Sequence, residues 1–240
     1  MLTYNELKEK PKEFLAATSL TVDEFERLLP VFRQQYANLV PPGLTRKGTP
    51  RQRREGGGVK EKLRSDEDKL LFILIYQKTY PLQTMHGLQF GLSQPQTNYW
   101  IHRLLPVLRE SLAQLGMTPE RDPQKVAASP LVNETAPDVL LDATERRRQR
   151  PKDVNEQEDC YSGKKKTHTD KNILLVNSHS RKVVYLSPTE KGKKHDKKIA
   201  DENAIVYPTG ATLGKDTGFQ GYEPIGVLTL QPKKSQKAKN

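Results

Sequence analysis

Cysteine is almost absent: Cys160 is the single thiol in 240 residues. The chain can therefore close no internal disulfide and build no cysteine-rich zinc site. Apolar residues are also few, at 34%, against 29% charged, which predicts compact units separated by polar segments rather than one tight globule. No apolar run approaches the roughly 20 residues of a membrane span. The first residues, MLTYNELKEKPKEF, carry charge where a secretory leader needs its apolar core. These absences predict a reducing, cytoplasmic setting and no membrane partner. No Gly-rich phosphate loop of the pattern Gly-x-x-x-x-Gly-Lys-Ser/Thr and no Gly-x-Ser-x-Gly elbow occurs, so nothing points to a nucleotide cofactor. His168, in KKTHT, has no Cys or His partner at zinc spacing.

Basic charge is what the chain does have. The net charge is +11 with a pI near 9.6, and the excess is clustered. Between Arg46 and Arg64, eight basic side chains face only Glu55 and Glu61. Clusters of this kind concentrate polyanions by long-range steering. One cluster could be a solvated run; several in one chain favour nucleic acid.

Residues 1–42 are expected to be helical, with Thr21 and Glu24 spaced as a capping box and Phe25, Leu28, Leu29, Phe32 and Tyr36 at helical intervals. Residues 43–64, basic and rich in glycine and proline, predict a linker. Residues 65–116 predict three helices: Ser65 capping the first up to Tyr80, a short second over 82–90 ended by Gly91, and a third capped by Ser93 with Pro95 in its first turn. Short helix, glycine turn and longer helix form the helix-turn-helix pattern, whose second member enters the major groove. Gln94, Gln96, Thr97, Asn98, His102 and Arg103 are then the candidates to face bases or phosphates, since Gln and Asn can pair with adenine and Arg with guanine. Any three-helix bundle also carries polar residues there. Trp100 and Tyr99 fit the core or a phosphate flank better than a stacking platform.

Residues 117–136, with Pro119, Pro123 and Pro130, predict a second linker, and a new domain spans 137–240. It opens with a strand over Val139 to Asp142, followed by a loop to Cys160, a hairpin of Lys166 to Asn177 with Lys182 to Leu186, a helix near His195 to Ala200, and strands before Gly214 and over 225–230. An acid at the end of an apolar strand needs a cationic partner. A divalent metal or the basic run Arg146, Arg147, Arg148 and Arg150 could supply it.

The strings DATERRRQRP and YSGKKKTHT, then HDKKIADE at 195–202 and GKDTGFQGYE at 214–223, resemble, in order, the blocks of bacterial insertion-sequence transposases of the DDE type with an N-terminal helix-turn-helix. The resemblance covers most of the chain after about residue 66. It implies an α+β or α/β chain: an all-helical DNA-binding domain, then an incomplete ribonuclease H-like mixed-sheet domain with acids at the ends of its first and fourth strands. Asp142 matches the first acid and Asp216 the second, as catalytic residues and metal ligands. The implied cofactor is Mg²⁺ or Mn²⁺, two ions in the complete enzyme, roughly 3.5–4 Å apart. The implied partners are double-stranded DNA, as terminal repeats and target, and a possible second copy of the chain, with the protein associated with the nucleoid. Lys164, Lys165 and Lys166 could hold phosphates beside the metal. His195 and Asp196 correspond to a His-Asp pair of the family and either touch the site or merely start a helix.

The family's third acid lies on a helix well downstream of the second. Here only Glu223 follows Asp216, seven positions on and before Pro224, so the expectation is that the third ligand is missing. The Lys-rich run after Pro232 suggests a frameshifted or split frame, or a decayed copy. Two function classes remain open: a transposase whose complete form cuts and joins DNA, and a non-catalytic DNA-binding product that regulates transposition. A basic protein with no site preference is a third.

Overall fold

In a computed structural model of the chain, residues 1–39, 49–50, 52, 61–132 and 138–232 are described. Most of the expected basic linker and the Lys-rich run 233–240 lie outside the described residues. The chain divides into two units, Met1–Leu115 and Gly116–Asn240.

The first unit is helical: α1 (Tyr4–Leu7), α2 (Pro11–Thr18), α3 (Val22–Asn38), α4 (Asp66–Thr79), α5 (Gln83–Phe90) and α6 (Gln94–Gln114). The expected capping box starts α3, with Thr21 N–H donating to Glu24 Oε2 at 2.8 Å and Glu24 N–H to Thr21 Oγ1 at 3.2 Å. Ser65 caps α4 through the N–H of Asp68 at 3.0 Å. Residues 1–39 and 65–115 share one core, with the face of α3 that carries Phe25, Leu28, Leu29 and Phe32 packed on the helices that follow. The reason lies in α4, where every residue from Lys69 to Tyr76 is buried. A helix apolar on all sides needs cover on all sides, and α2 and α3 supply what α5 and α6 cannot. Leu63, expected in the linker, is fully buried in the same core.

The second unit is a mixed sheet with helices. Its elements are β1 (Asp138–Arg147), α7 (Val154–Cys160), β2 (Tyr161–Ser162), β3 (Thr167–Asn177), β4 (Val183–Leu186), β5 (Glu190–Lys191), α8 (Asp196–Asn203), β6 (Thr212–Lys215) and β7 (Leu228–Leu230). The strand order is β2-β3-β1-β6-β7, with β4 and β5 also on β3. β1 runs antiparallel to β3 and parallel to β6, and β6 parallel to β7. The crossover from β5 to β6 passes through α8, whose Ile199 and Ala200 join Val139, Leu141, Ile173, Leu175, Leu213 and Phe219 in the core. This is the expected α+β class.

Three details differ from expectation. β1 does not stop at Asp142 but runs to Arg147, because β3 pairs with it throughout and sets Lys171 opposite Glu145 and Asp170 opposite Arg146. Opposite charges facing across a ladder favour the extended pairing. The presumed loop before Cys160 holds α7, capped by Asp153, whose Oδ1 accepts the N–H of Glu156 at 2.9 Å. The segment expected as a linker, 117–136, belongs to the second unit as far as it is described. Glu120 bonds to both neighbours of Tyr185, accepting from Leu186 N–H at 3.1 Å and donating to Val184 O at 2.7 Å. Val126, Leu131 and Val132 are buried in the second core.

Candidate active site and nucleic-acid interface

The parallel ladder between β1 and β6 sets Leu141 opposite Lys215. The next residues are Asp142 and Asp216, so two acids far apart in sequence follow one rung on neighbouring strands, which in sheets lie about 4.7–4.9 Å apart. Both are exposed. At this point β6 ends and β1 continues. Asp142 Oδ1 accepts the N–H of Ala143 at 2.8 Å. Asp216 Oδ1 accepts the N–H of Gly218 at 2.9 Å and caps the 3-10 turn Thr217–Phe219. One residue pair back on the same face of β1, Leu140 lies over Gly214, where a Cβ would come within 2.6 Å of Leu140 Cδ2.

On the opposite face Lys215 is buried, its Nζ donating to the carbonyl of Tyr222 and, at 2.7 Å, to Glu223 Oε1. Thr229 Oγ1 donates to the other oxygen of Glu223. The hydrogen bonds from Lys215 and Thr229 hold the Glu223 carboxyl below its ordinary range. Glu223 thus fastens the loop that follows Asp216.

A second charged group lies beside this edge. Lys171 is buried, with Nζ 2.8 Å from Asp196 Oδ1 and 3.3 Å from Glu145 Oε1, and it donates to the carbonyl of Lys194 at 2.9 Å. Glu145 also accepts from Ser162 Oγ at 2.8 Å. Burial pushes the Glu145 carboxyl up, but the Ser162 bond and the Lys171 charge outweigh it and leave the group below its ordinary value. These residues line a cleft of about 360 Å³ with Lys164, Lys193, Lys194 and Gly218. The sequence reading missed Lys171 and Glu145. A lysine two positions before the apolar run Ile173 to Val176 was the available signal, because a charge inside a buried strand needs a partner. His195 is exposed and caps α8 through Nδ1, 3.3 Å from the N–H of Lys197. Lys164, Lys165 and Lys166 are exposed on the turn between β2 and β3.

Two hard carboxylates at one edge suit a cation such as Mg²⁺, which takes one or two protein carboxylates and keeps several waters. Asp142 and Asp216 are carboxylates of that type, each directly following the last pair of the β1–β6 ladder. Among the described residues no group of three His, Cys, Asp or Glu side chains converges to hold a metal.

In the first unit, α5, the turn at Gly91 and α6 form the expected helix-turn-helix. Gly91 has φ +64°, and Leu92 N–H donates to Gly87 O at 2.8 Å. Gly87 is crowded: a Cβ there would lie 2.6 Å from both Leu92 O and Thr97 Oγ1. Thr97, expected to face outward, is fully buried and donates to Ser93 O at 3.0 Å. Its place on the inner side of α6 follows from that close approach to α5. Trp100 is in the core. The other candidates divide by what already holds them. Gln94 is exposed, with Nε2 2.6 Å from Gln83 Oε1, and Gln96 Oε1 accepts the N–H of Ser93 at 3.0 Å as a cap. Asn98 is half-buried and His102 exposed. Arg103 is half-buried, its guanidinium 5.4 Å from the Tyr36 ring and 5.9 Å from the Tyr99 ring.

No described helix is long and apolar enough to cross a membrane. Residues 141–240 match the family model of the DDE superfamily endonuclease, and residues 61–114 that of the helix-turn-helix of DDE superfamily endonuclease. Over 223 residues the chain is 24% identical to a probable transposase for insertion sequence element IS702 from Microchaete diplosiphon, covering 93% of this chain and 75% of that relative. No solved structure matches the chain.

Proposed function

The chain belongs to the DDE-type transposases of insertion sequences, and from that premise we propose that its second unit cuts and joins DNA by metal-dependent phosphoryl transfer at Asp142 and Asp216. Endonucleases of this superfamily work with divalent metal ions. The observation that supports the proposal is the β1–β6 register, whose last pair, Leu141 opposite Lys215, directly precedes the two aspartates. Asp142 and Asp216 would hold a divalent ion there, and the chemistry it would supply is activation of the attacking water or 3′-hydroxyl and stabilisation of the leaving oxygen of a phosphodiester. The carboxylates of Asp142 and Asp216 supply hard oxygens for Mg²⁺ or Mn²⁺, and the lysines of the neighbouring cleft offer positive charge to the DNA backbone. The strand order and the α8 crossover support a ribonuclease H-like reading, with β6 as the fourth strand once the two-residue β2 and β5 are set aside. In the first unit, α6 reads the terminal repeats, with Asn98 and His102 as its least committed side chains.

The test is Mg²⁺- or Mn²⁺-dependent nicking of terminal-repeat DNA by the chain. Activity that disappears in Asp142→Asn and Asp216→Asn, with folding intact, supports the proposal. Activity that survives both substitutions refutes it.

A second reading has one observation in its favour: no third metal-binding side chain joins the pair among the described residues. On that reading the chain binds the element's ends without cutting them and regulates transposition. Retardation specific to terminal repeats, without nicking at any Mn²⁺ concentration, would select it.

A further inference from the structure

Asp196 has no role in the two-aspartate reading, yet the structure aims it at the same place. It is the first residue of α8, and one of its oxygens is fixed from below: Oδ1 lies 2.8 Å from the Nζ of Lys171. That oxygen is buried and accepts no aligned hydrogen bond from the described residues, so the contact is an ion pair with a lysine that is itself only 5% exposed. Burying three charges together is costly unless each is compensated. Here Lys171 bridges Asp196 and Glu145, while Ser162 satisfies Glu145. The arrangement leaves Asp196 little freedom to turn.

The other oxygen points at Gly218. A Cβ on Gly218 would sit 3.2 Å from Asp196 Oδ2 and 3.0 Å from Asp216 Oδ1. The two carboxylate oxygens are therefore at most about 6.2 Å apart, the sum of those distances. They flank the space that the absent side chain leaves. A separation within that limit admits one intervening water, given hydrogen bonds of roughly 2.5–3.0 Å between oxygens. The cleft that contains Asp196 and Gly218 is also lined by Lys164, Lys193 and Lys194, which places cationic side chains around Asp196.

We infer that Asp196 is a positioning residue of the nuclease site: held by Lys171, its Oδ2 accepts a hydrogen bond from water in the shell of a divalent ion bound at Asp216. It acts through water rather than as a ligand, in keeping with the absence of any converging set of three ligands among the described residues. Outer-shell partners of this kind change metal affinity by roughly 10–100-fold when removed. The inference rests on the metal-dependent reading of Asp142 and Asp216.

The experiment is Mn²⁺ binding by the full chain, followed through loss of the free-ion electron paramagnetic resonance signal up to millimolar Mn²⁺, together with thermal melting of each variant. Asp196→Asn is expected to weaken binding about 10-fold or more, Asp196→Glu to recover part of the affinity, and Asp201→Asn, further along α8, to leave it unchanged. A lower melting temperature in Asp196→Asn with unaltered Mn²⁺ affinity would mean a structural ion pair only and overturn the inference. If Asp196→Asn does not fold, Gly218→Ala replaces it: a methyl between the two carboxylates weakens binding if the inference holds, and unchanged affinity overturns it. The two readings fail differently. Loss of binding in Asp142→Asn and Asp216→Asn without loss in Asp196→Asn sinks this inference alone. No saturable binding by the unaltered chain, or binding indifferent to both Asp142→Asn and Asp216→Asn, sinks the metal-dependent reading and this inference with it.

Discussion

Lys215 Nζ, buried beneath the sheet, donates to Glu223 Oε1 at 2.7 Å and so joins the end of β6 to the far end of the loop that begins at Asp216. The lysine directly precedes the second aspartate, and its bonds to Tyr222 O and Glu223 determine where that loop closes. Lys215→Ala removes both bonds and leaves a cavity, and is expected to destabilise the second unit by about 2–4 kcal/mol. Lys215→Met keeps the length of the side chain and should lose less. Chemical denaturation followed by far-ultraviolet circular dichroism decides the order of the two, and equal losses would contradict the role given to packing.

His86 is fully buried against Phe72, Tyr76 and Phe90, with Nε2 3.1 Å from Phe72 O and Nδ1 without a hydrogen-bond partner among the described residues. Burial lowers its pKa from the ordinary 6.5, outweighing the bond to Phe72. In acid the unfolded chain then binds a proton that the folded one resists. Its contribution is complete above about pH 6.5 and is lost as pH falls from there through the lowered folded value. The first unit should lose up to about 1.4 kcal/mol per pH unit in that window. Trp100, the single tryptophan, lies in the same core, so its fluorescence during urea unfolding at a series of pH values measures the effect. His86→Leu should flatten the profile.

Gly87→Ala would place a methyl 2.6 Å from Leu92 O and Thr97 Oγ1. Backbone cannot yield cheaply there, so the variant is expected to lose about 1–3 kcal/mol, the usual range for overpacking. Retention of terminal-repeat DNA should fall with it, because the same turn sets α6 against α5. Full stability measured by tryptophan fluorescence would show that the turn has slack which the structure does not contain.

Arg103 and His102 are neighbours in sequence with opposite expectations. Arg103 lies against Tyr36 and Tyr99, so Arg103→Ala should cost about 1 kcal/mol of stability. His102 is exposed, so His102→Ala should stay within about 0.5 kcal/mol of the parent while weakening DNA binding. Paired measurements of melting and of DNA affinity separate the two, and the reverse pattern would reverse their roles.

Lys164 and Lys165 project from the turn between β2 and β3. If they neutralise phosphates, Lys164→Ala with Lys165→Ala should reduce the slope of log affinity against log salt by about 0.9 for each duplex phosphate no longer neutralised. An unchanged slope would leave them as solvated turn residues.

Local pattern was enough for much of the chain. The caps at Thr21 and Ser65, the glycine turn at Gly91 and the β3–β4 hairpin all rest on residues close in sequence, and their hydrogen bonds close within a few positions. The order of the four family blocks was equally legible, and Asp142 and Asp216 could be singled out from them. What pattern could not supply was anything decided by a distant partner. β1 continues past Asp142 because β3 carries charges that answer Glu145 and Arg146. Residues 117–132 join the second unit because β4 and an apolar core accept them. Arg103, taken for a DNA contact, is occupied by Tyr36 from a helix more than sixty positions away. Sequence by itself determined the charge and the helix starts, since these depend on composition and short-range geometry, while the two aspartates were singled out by the resemblance of their blocks to the family. Only the tertiary structure decided that those aspartates follow one rung of the β1–β6 ladder and that Lys171 pairs with Asp196 and Glu145, because strand register and the compensation of buried charge are settled between segments that the chain keeps apart.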